Sequence, residues 1–401
     1  MKLTRRATLG GSAIALAASG FARRAGAQSA PIKIGEINSY SAIPAFTLPY
    51  RNGWQLAVEQ VNQAGGVLGR PIEILSRDDG GKPQDAIRLA SELLDEQKVD
   101  LLAGGFLSNV GLALADQALA RKRLFIASEP LTDALVWSAG NRYVFRLRPS
   151  TYMQAAMLVE EAAKLPAKRW ATVAPNYEYG QSAVKWFREL LSAKRPDVIF
   201  IGEQWPAQGK IDAGATTQAL AQMKPDAILN ITFGADLTNF VRQGNTIGLF
   251  DNRAVVSMLT GEPEYLLPLG DETPVGWIVT GYPGRAVGTP ANQAFIAAFR
   301  ARFNADPMMG SVVGYAMVNS IVASIAKAGG TDTEAMVAGF RGASFATPFG
   351  QASFRAQDHQ STFGTYIGRT ATTGMVDWRY QDGADFLPDD ATVRRLRPAA
   401  D

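Results

Sequence analysis

From residue 32 onward, short apolar runs alternate with longer stretches in which apolar residues recur at helical spacing. The short runs are typical of buried strands and the longer stretches of amphipathic helices. Strict alternation of the two predicts an α/β fold with parallel sheets. The predicted strands are 32–35, 72–75, 101–104, 124–127, 170–174, 198–201, 227–231 and 254–258, and the predicted helices are about 50–64, 82–97, 111–120, 152–165, 183–193, 237–244 and 308–328.

The chain is long for a single hydrophobic core. About 370 residues follow the N-terminal segment described below, more than one core usually serves, so two lobes are expected. The second lobe is predicted to begin near Arg148, and the helix at 308–328 is assigned back to the first lobe. A chain that crosses between lobes more than once forms a hinge.

The first 27 residues have the layout of a secretory signal. Lys2, Arg5 and Arg6 precede an apolar stretch over 9–21, and the small residues 25–27 follow it. This layout predicts export to the periplasm and cleavage after about Ala27. The paired arginines fit the twin-arginine route, while the general route stays open. The stretch is shorter than the roughly 20 residues of a membrane-spanning helix, and no later stretch is expected to reach that length.

Composition narrows the function. Residues 1–27 hold five basic and no acidic residues. Without them the chain keeps 35 basic and 37 acidic residues and has a net charge of −2. This charge gives no electrostatic basis for nucleic-acid binding. There is no cysteine and one histidine, His359, so no cofactor and no metal site is predicted. A catalytic triad would have to use His359, which lies in a loop-like segment, and we therefore expect no enzyme.

The glycines at 65, 66 and 69 do not indicate a nucleotide site. They follow a predicted helix and precede a strand, whereas dinucleotide-binding glycines follow a strand. A structural turn explains them, because glycine readily ends a helix. In open α/β sheets, ligands bind beyond the carboxyl ends of the strands. The loops in that position are 39–46, 106–109, 128–132, 175–180, 233–236 and 260–262.

Several segments resemble a known family, the type I periplasmic solute-binding proteins of branched-chain amino acid (leucine/isoleucine/valine) ABC importers. The resemblance covers nearly the whole mature chain and rests on residues 53–57 with 61–70, Asp78 with Asp79, 143–150 and 177–180. It implies two doubly wound parallel-sheet lobes joined by three hinge crossings. The implied first lobe is 28–147 plus about 283–346, and the implied second lobe is 148–282 plus about 347–401. It also implies a structural role for His359.

By this resemblance, first-lobe loops hold a ligand carboxylate and an acidic side chain meets an ammonium group. Ser108 and Asn109 match the first loop and could form an anion site at a helix N-terminus; Ser108 could equally cap that helix. Ser128 and Glu129 lie in a loop that departs from the family pattern. Glu129 either pairs an ammonium group, bonds a hydroxyl or faces solvent, and this leaves a standard aliphatic amino acid ligand in doubt.

Aromatic residues are the second-lobe candidates. Tyr177 and Tyr179 match a loop that gives the family's closed cleft an aromatic ring, which can stack on a planar ligand. Phe233 and Asp236 match the following loop, and Asp236 either meets the ligand or, as we favour, caps the next helix. The remaining candidates are Thr260 and, as a roof from the first loop, Tyr40, Ser41 and Phe46, although Pro44 indicates that this loop is stiff.

These observations predict a periplasmic substrate-binding component of an ABC importer. The expected ligand is a small amino acid or an aromatic or aliphatic carboxylate, the expected partner is an inner-membrane permease, and the protein is expected to be monomeric. A sensor that docks on a membrane receptor shares the fold and is the alternative, since fold alone does not fix function. Closure over the ligand, rather than chemistry, would be the output.

Overall fold

The computed structural model describes residues 30–397. Its first sheet has five parallel strands in the order β2-β1-β3-β4-β5. β1 lies between β2 and β3, with Ile34 paired to both Ile74 and Leu101. The elements are β1 (Ile32–Asn38), α1 (Pro44–Gln63), β2 (Ile72–Asp78), α2 (Pro83–Asp95), β3 (Leu101–Gly104), α3 (Ser108–Arg121), β4 (Phe125–Ala127) and β5 (Val144–Arg146).

The chain then builds most of a second sheet from parallel strands and covering helices. Ser150 begins this half, because its hydroxyl accepts a hydrogen bond from the amide of Met153 at 3.0 Å and caps the first helix. The elements are α4 (Thr151–Ala162), β6 (Arg169–Val173), α5 (Glu178–Lys194), β7 (Ile199–Gln204), α6 (Ala213–Met223), β8 (Ala227–Asn230), α7 (Gly234–Thr246), β9 (Ala254–Gly261), α8 (Pro263–Leu266) and β10 (Ile278–Gly281).

After β10 the chain forms three helices and a small ladder before it returns to the second sheet. These elements are α9 (Pro290–Phe303), α10 (Met309–Ala328), α11 (Thr333–Phe340), β11 (Ser344–Thr347), β12 (Gly350–Ser353), β13 (Thr365–Ala371), β14 (Gly374–Gln381) and α12 (Asp390–Leu396). The completed second sheet has the order β14-β13-β10-β9-β8-β6-β7, with β13 and β14 antiparallel. The mainly parallel architecture agrees with the prediction; the antiparallel edge was not expected from the sequence.

Helix α10 packs on α1 through glycines. A Cβ atom on Gly53 would lie 2.0 Å from the carbonyl oxygen of Ser311, and one on Gly314 would lie 2.1 Å from that of Tyr50. The two backbones therefore touch at these points, which only glycine permits. Contrary to the sequence expectation, α10 is long and apolar enough to cross a membrane, but most of it is buried here, as in the core helix of a soluble protein.

Two segments between the sheets are held together at Arg146. Its amide donates to the carbonyl of His359 at 3.1 Å, and the amide of Ser361 donates to the carbonyl of Arg146 at 3.0 Å. The buried guanidinium donates to the side chain of Gln360 at 2.5 Å and to the carbonyls of Leu131 and Thr132. The segment that leaves the first sheet is thus hydrogen bonded to the one that re-enters the second.

Helix boundaries differ most from the prediction where proline is involved. α1 begins at Pro44, six residues before the predicted start, so Pro44 opens a helix and does not stiffen a loop. Proline suits the first turn of a helix because its missing N–H would have no partner there. The predicted signal peptide and its cleavage site lie outside the described residues.

Candidate ligand-binding cleft

A cavity with about 300 Å³ of empty space lies between the carboxyl ends of the two sheets. Its walls come from the loops after β3, β4, β6 and β8, from β9, from α8 and from the segment that links β5 to α4. The lining residues are Phe106, Ser108, Glu129, Leu131, Arg148, Tyr177, Tyr179, Phe233, Leu259 and Tyr265.

The lobes touch across this cavity, so the cleft is closed. The hydroxyl of Thr132 donates to the carboxylate of Glu178 at 2.6 Å, which joins the first lobe to the start of α5. The rings of Phe106 and Phe233 meet with centroids 6.1 Å apart. A ligand in the cavity would therefore be enclosed by both sheets.

Aromatic rings form a continuous wall around the cavity. Phe233 is its centre, with ring centroids 5.7 Å from Tyr179 and 6.2 Å from Tyr265. Tyr177 extends the wall beyond Tyr179 at 6.0 Å. Behind it, Phe46 packs on Phe106 at 5.3 Å and on Tyr265 at 6.5 Å. Such a wall favours a flat apolar ligand, because rings contribute large contact area and lose little side-chain entropy.

One arginine joins acidic side chains from the two lobes beside the cavity. Arg148 donates to Glu129 at 3.2 Å, and it also donates to Glu262, which follows β9. All three side chains are nearly inaccessible to water. Burial raises the pKa of Glu129 to about 8, although Arg148 opposes the shift. Burial also raises the pKa of Glu262, and that of Glu264 to about 8.

Some buried polar atoms of the lining residues have no hydrogen-bond partner within residues 30–397. They are the hydroxyls of Tyr179 and Tyr265, Oε1 of Glu129 and Nε of Arg148. Buried polar atoms normally find a partner, since leaving one unpaired costs roughly 1–3 kcal/mol. These atoms are therefore placed to bind polar groups of a ligand.

Ser108 occupies the first position of α3. Its hydroxyl accepts a hydrogen bond from the amide of Thr132 at 3.3 Å and keeps its own hydrogen for another acceptor. The residue before it, Leu107, is the N-cap, and no side chain caps the helix, so the alternative that Ser108 is the cap is wrong. The first amides of a helix lack partners within the helix, so this corner can bind an anion.

The structure brings five of the predicted site residues to the cavity: Ser108, Glu129, Tyr177, Tyr179 and Phe233. Glu129 is 2% exposed, which excludes the alternative that it faces solvent. The other seven candidates, Phe46 included, do not line the cavity.

Five of those seven are in the first lobe, and one of them, Phe46, packs on Phe106 behind the lining. Tyr40 donates its hydroxyl to Glu36 at 3.0 Å, and the amide of Ser41 points to Asp78 at the end of β2. Ser128 bonds the hydroxyl of Tyr50 at 3.0 Å. Asn109 is half-buried beside Ser108 and outside the lining. The early start of α1 turns Tyr40 and Ser41 away from the cleft, which accounts for the difference from the sequence analysis.

Asp236 and Thr260, in the second lobe, have structural partners. Asp236 neither caps α7 nor reaches the cavity, because its carboxylate accepts the amides of Gly209 at 2.7 Å and Ile211 at 3.2 Å. The hydroxyl of Thr260 lies 2.6 Å from that of Ser257. The first two bonds tie the 209–211 loop to α7, and the contact of Thr260 lies within β9, so neither side chain is directed to the cavity.

Five lining residues were not among the predicted site residues: Phe106, Leu131, Arg148, Leu259 and Tyr265. Phe106 and Leu131 lie in the loops at the carboxyl ends of strands that the sequence analysis selected, but polar residues were chosen from those two loops. Arg148 lies in the 143–150 segment that carried the family resemblance. Leu259 has a positive φ of 69° within β9, and Tyr265 sits on a four-residue helix; neither has a local sequence signal.

His359 lies away from the cavity. Its ring stacks on Phe145 with centroids 4.0 Å apart, its Nδ1 lies 2.9 Å from the carbonyl oxygen of Val144, and Arg341 donates to its Nε2 at 3.1 Å. The side chain is fully buried among these groups. In the part of the chain that the structure describes, no group of three histidine, aspartate or glutamate side chains is arranged to hold a metal ion.

Comparison with known proteins identifies the family. The sequence model of the family described as "Periplasmic binding protein" matches residues 31–374. A "Leucine-, isoleucine-, valine-, threonine-, and alanine-binding protein" of Pseudomonas aeruginosa is 27% identical over 314 residues, which cover 76% of this chain and 80% of that protein. "Leu/Ile/Val-binding protein homolog 7" of Brucella melitensis is 24% identical over 96% of this chain and 98% of its own length.

A solved structure supports the same fold. The solute-binding protein of an ABC transporter from Rhodopseudomonas palustris BisB5, crystallised with 3,4-dihydroxybenzoic acid, superposes with a TM-score of 0.79 at 22% identity. The match covers 88% of this chain and 98% of that one. With two α/β lobes closed on a cavity, and with a family match over residues 31–374, this chain belongs to the periplasmic binding protein family, which confirms the fold and the family predicted from its sequence.

Proposed function

We propose that this protein is the solute-binding component of an ABC importer, that it works in the periplasm as a monomer, and that it captures a small carboxylate with an aromatic body for delivery to the permease. The observation that carries the proposal is the wall of rings around Phe233, which lines the cavity between the two lobes.

The carboxylate of such a ligand would bind at Ser108. There it would accept a hydrogen bond from the Ser108 hydroxyl and face the positive end of α3. Arg148 is a poorer anchor for it, because Glu129 and Glu262 already occupy its Nη1 and Nη2 groups. The aromatic body would then lie against Tyr179, Phe233 and Tyr265.

Related proteins bind ligands of both classes considered in the sequence analysis. The Rhodopseudomonas palustris protein was crystallised with 3,4-dihydroxybenzoic acid, and the name of the Pseudomonas aeruginosa relative gives five amino acids. We favour the aromatic acid for this chain because aromatic side chains make up half of the cavity lining, five residues of ten.

No catalytic step is part of the proposal. Ser108 is the serine that lines the cavity. His359 is the sole histidine of the chain, and it is buried beside Phe145, away from the cavity. The two residues therefore cannot act as a nucleophile and its general base. Incubation with a bound acid should return that acid unchanged, as judged by chromatography of the released ligand.

A thermal-shift panel tests the ligand class. The panel contains benzoate, 3,4-dihydroxybenzoate, cyclohexanecarboxylate, benzyl alcohol, leucine, isoleucine and valine. An aromatic acid at 100 times its dissociation constant adds about 2.7 kcal/mol of stability, or roughly 3 °C for a chain of this size. Benzyl alcohol, which lacks the carboxylate, should give no shift.

Two serine variants locate the carboxylate. Ser108→Ala should weaken binding of the acid about tenfold, since a hydrogen bond to a charged group contributes roughly 1.5–3 kcal/mol. Ser128→Ala is the matched control, because Ser128 is buried nearby but bonds Tyr50 outside the cavity. Shifts given only by the aliphatic amino acids, or equal losses in the two variants, would overturn the proposal.

A further inference from the structure

Three glutamates and one arginine are buried together beside the cleft. Glu129, Glu262, Glu264 and Arg148 are 2%, 1%, 4% and 3% exposed, respectively. Glu129 comes from the first lobe, Glu262 and Glu264 come from the second, and Arg148 lies on the segment between the lobes. We call these four residues the cross-cleft cluster.

Both lobes are needed to assemble the cross-cleft cluster. Arg148 donates one N–H to Glu129 and another to Glu262, so it holds one carboxylate from each lobe. Glu264 accepts the amide of Gly310, at the start of α10, at 2.6 Å. Separation of the lobes would therefore expose carboxylates that closure buries.

The cluster has more acids than bases. Fully ionised, its three carboxylates and one guanidinium would carry a net charge of −2. Within the described residues, one oxygen of each glutamate has no hydrogen-bond partner: Oε1 of Glu129, Oε2 of Glu262 and Oε2 of Glu264. A buried carboxylate without full compensation is strongly disfavoured, and protonation relieves it.

Among residues 30–397, the groups that act on the cluster supply no second positive charge. Arg148 is the cation in contact with Glu129, and the other titratable groups that act on Glu129 or on its partners are acids or neutral phenols. They are Glu262 and Glu264 from the second lobe, Tyr50 from α1, Tyr179 from α5 and Tyr265 from α8. A proposed aromatic acid ligand, which has no ammonium group, would not supply it either.

We propose that closure of the cleft over an acid ligand traps a proton on the cross-cleft cluster, chiefly on Glu129, because this is the cluster glutamate that lines the cavity and so adjoins the ligand. Ligand and proton then bind together. This inference rests on the proposed function, because a ligand with an ammonium group would take the place of the proton. The protonated carboxyl also gains a donor that can bond the ligand.

The direction of the pH dependence follows from the two states. Burial raises the pKa of Glu129 from an ordinary value of 4.5 to about 8 in the closed cleft, whereas in an open cleft water would bring it back toward 4.5. At pH values below 4.5, the pKa of Glu129 in the open cleft, closure requires no uptake of a proton. Closure becomes less favourable as pH rises from there toward about 8, the pKa of Glu129 in the closed cleft. Affinity should therefore fall by up to roughly 50-fold between pH 6 and pH 8.

Calorimetry in buffers of different ionisation enthalpy counts the trapped protons. Benzoate and 3,4-dihydroxybenzoate are titrated into the full-length mature protein at pH 6.5, and the slope of the observed enthalpy against buffer enthalpy gives the proton uptake. Wild type should take up about one proton more than Glu129→Gln. Arg148→Met should take up more protons than wild type, because Glu129 and Glu262 both lose the cation that they contact.

A matched control is Glu36→Gln. Glu36 is also fully buried and burial raises its pKa to about 7, but its carboxylate bonds Tyr40 and Ser76 inside the first lobe. Its removal should leave the proton uptake unchanged. Equal uptake in wild type and Glu129→Gln, with benzoate bound by both, would overturn the proton inference and leave the proposed function standing.

A second measurement follows the midpoint of thermal unfolding from pH 5 to pH 8 with saturating benzoate, for wild type and Glu129→Gln. With the cleft closed over benzoate, the raised pKa of Glu129 destabilises wild type progressively over this range, so the variant should gain stability relative to wild type as pH rises. Parallel curves with benzoate bound would overturn the proton inference and leave the proposed function standing. If no acid in the panel raises the midpoint, the proposed function fails, and the proton inference fails with it.

Discussion

Replacement of Arg146 by methionine tests whether the junction between the lobes contributes to stability. The side chain is fully buried, its Nε donates to Gln360 at 2.5 Å, and its Nη1 donates to the carbonyls of Leu131 and Thr132. Nη2 lies 3.7 Å from the carboxylate of Asp133. Burial lowers the pKa of Arg146 to about 10, which leaves it charged at neutral pH.

The expected loss of stability follows from the groups that would lose their partner. Methionine cannot donate a hydrogen bond to the oxygens of Gln360, Leu131 and Thr132, and Asp133 would lose its neighbouring cation. Removal of one partner from a buried ionic network typically costs about 3–5 kcal/mol. An unfolding entropy of roughly 2.1 cal/mol/K per residue over residues 30–397 gives about 0.8 kcal/mol/K, so a loss of about 4 kcal/mol lowers the melting temperature by about 5 °C.

Differential scanning calorimetry measures this shift. Arg302→Met is the control, since Arg302 pairs with Glu59 at 2.8 Å but both side chains are well exposed, and such pairs contribute roughly 0–1 kcal/mol. If Arg146→Met does not fold, Arg146→Lys keeps the charge and should show an intermediate loss. A shift for Arg146→Met no larger than that for Arg302→Met would refute the reasoning.

Three further predictions concern the cleft and the core. Phe233→Ala should weaken binding of an aromatic acid about tenfold or more, as measured by isothermal titration. The control is Phe240→Ala, which removes a fully buried ring from α7 and should lower the melting temperature, measured by scanning calorimetry, without changing the affinity. Gly53→Ala should destabilise the fold by more than 1 kcal/mol, because its Cβ atom would lie 2.0 Å from the carbonyl oxygen of Ser311, and a normal denaturation midpoint would contradict that packing. Asp236→Ala should lower the free energy of unfolding by about 1–3 kcal/mol and leave ligand affinity unchanged, because its carboxylate accepts hydrogen bonds from two loop amides. A loss of affinity at equal stability would show instead that Asp236 contacts the ligand.

The amino-acid sequence by itself determined the architecture and the family. Alternation of apolar runs with amphipathic helices is a local property, so it identified eight strands and the loops at their carboxyl ends. The pattern placed Tyr177, Tyr179 and Phe233 in such loops, because the loop after a given strand always lies at the same edge of a parallel sheet. The resemblance to the family then selected these three as the aromatic candidates of the second lobe.

Tertiary structure alone decided which of those residues meet. Tyr40 and Ser41 follow a strand as Ser108 does, yet the helix that begins at Pro44 directs them into the first lobe. Glu129, Arg148 and Glu262 have no common local pattern, and Arg148 can hold a carboxylate from each lobe only because the lobes close on each other. The spacing of residues along one strand or helix is fixed by local geometry, whereas a contact between lobes depends on their relative orientation, which no local pattern of apolar and polar residues encodes.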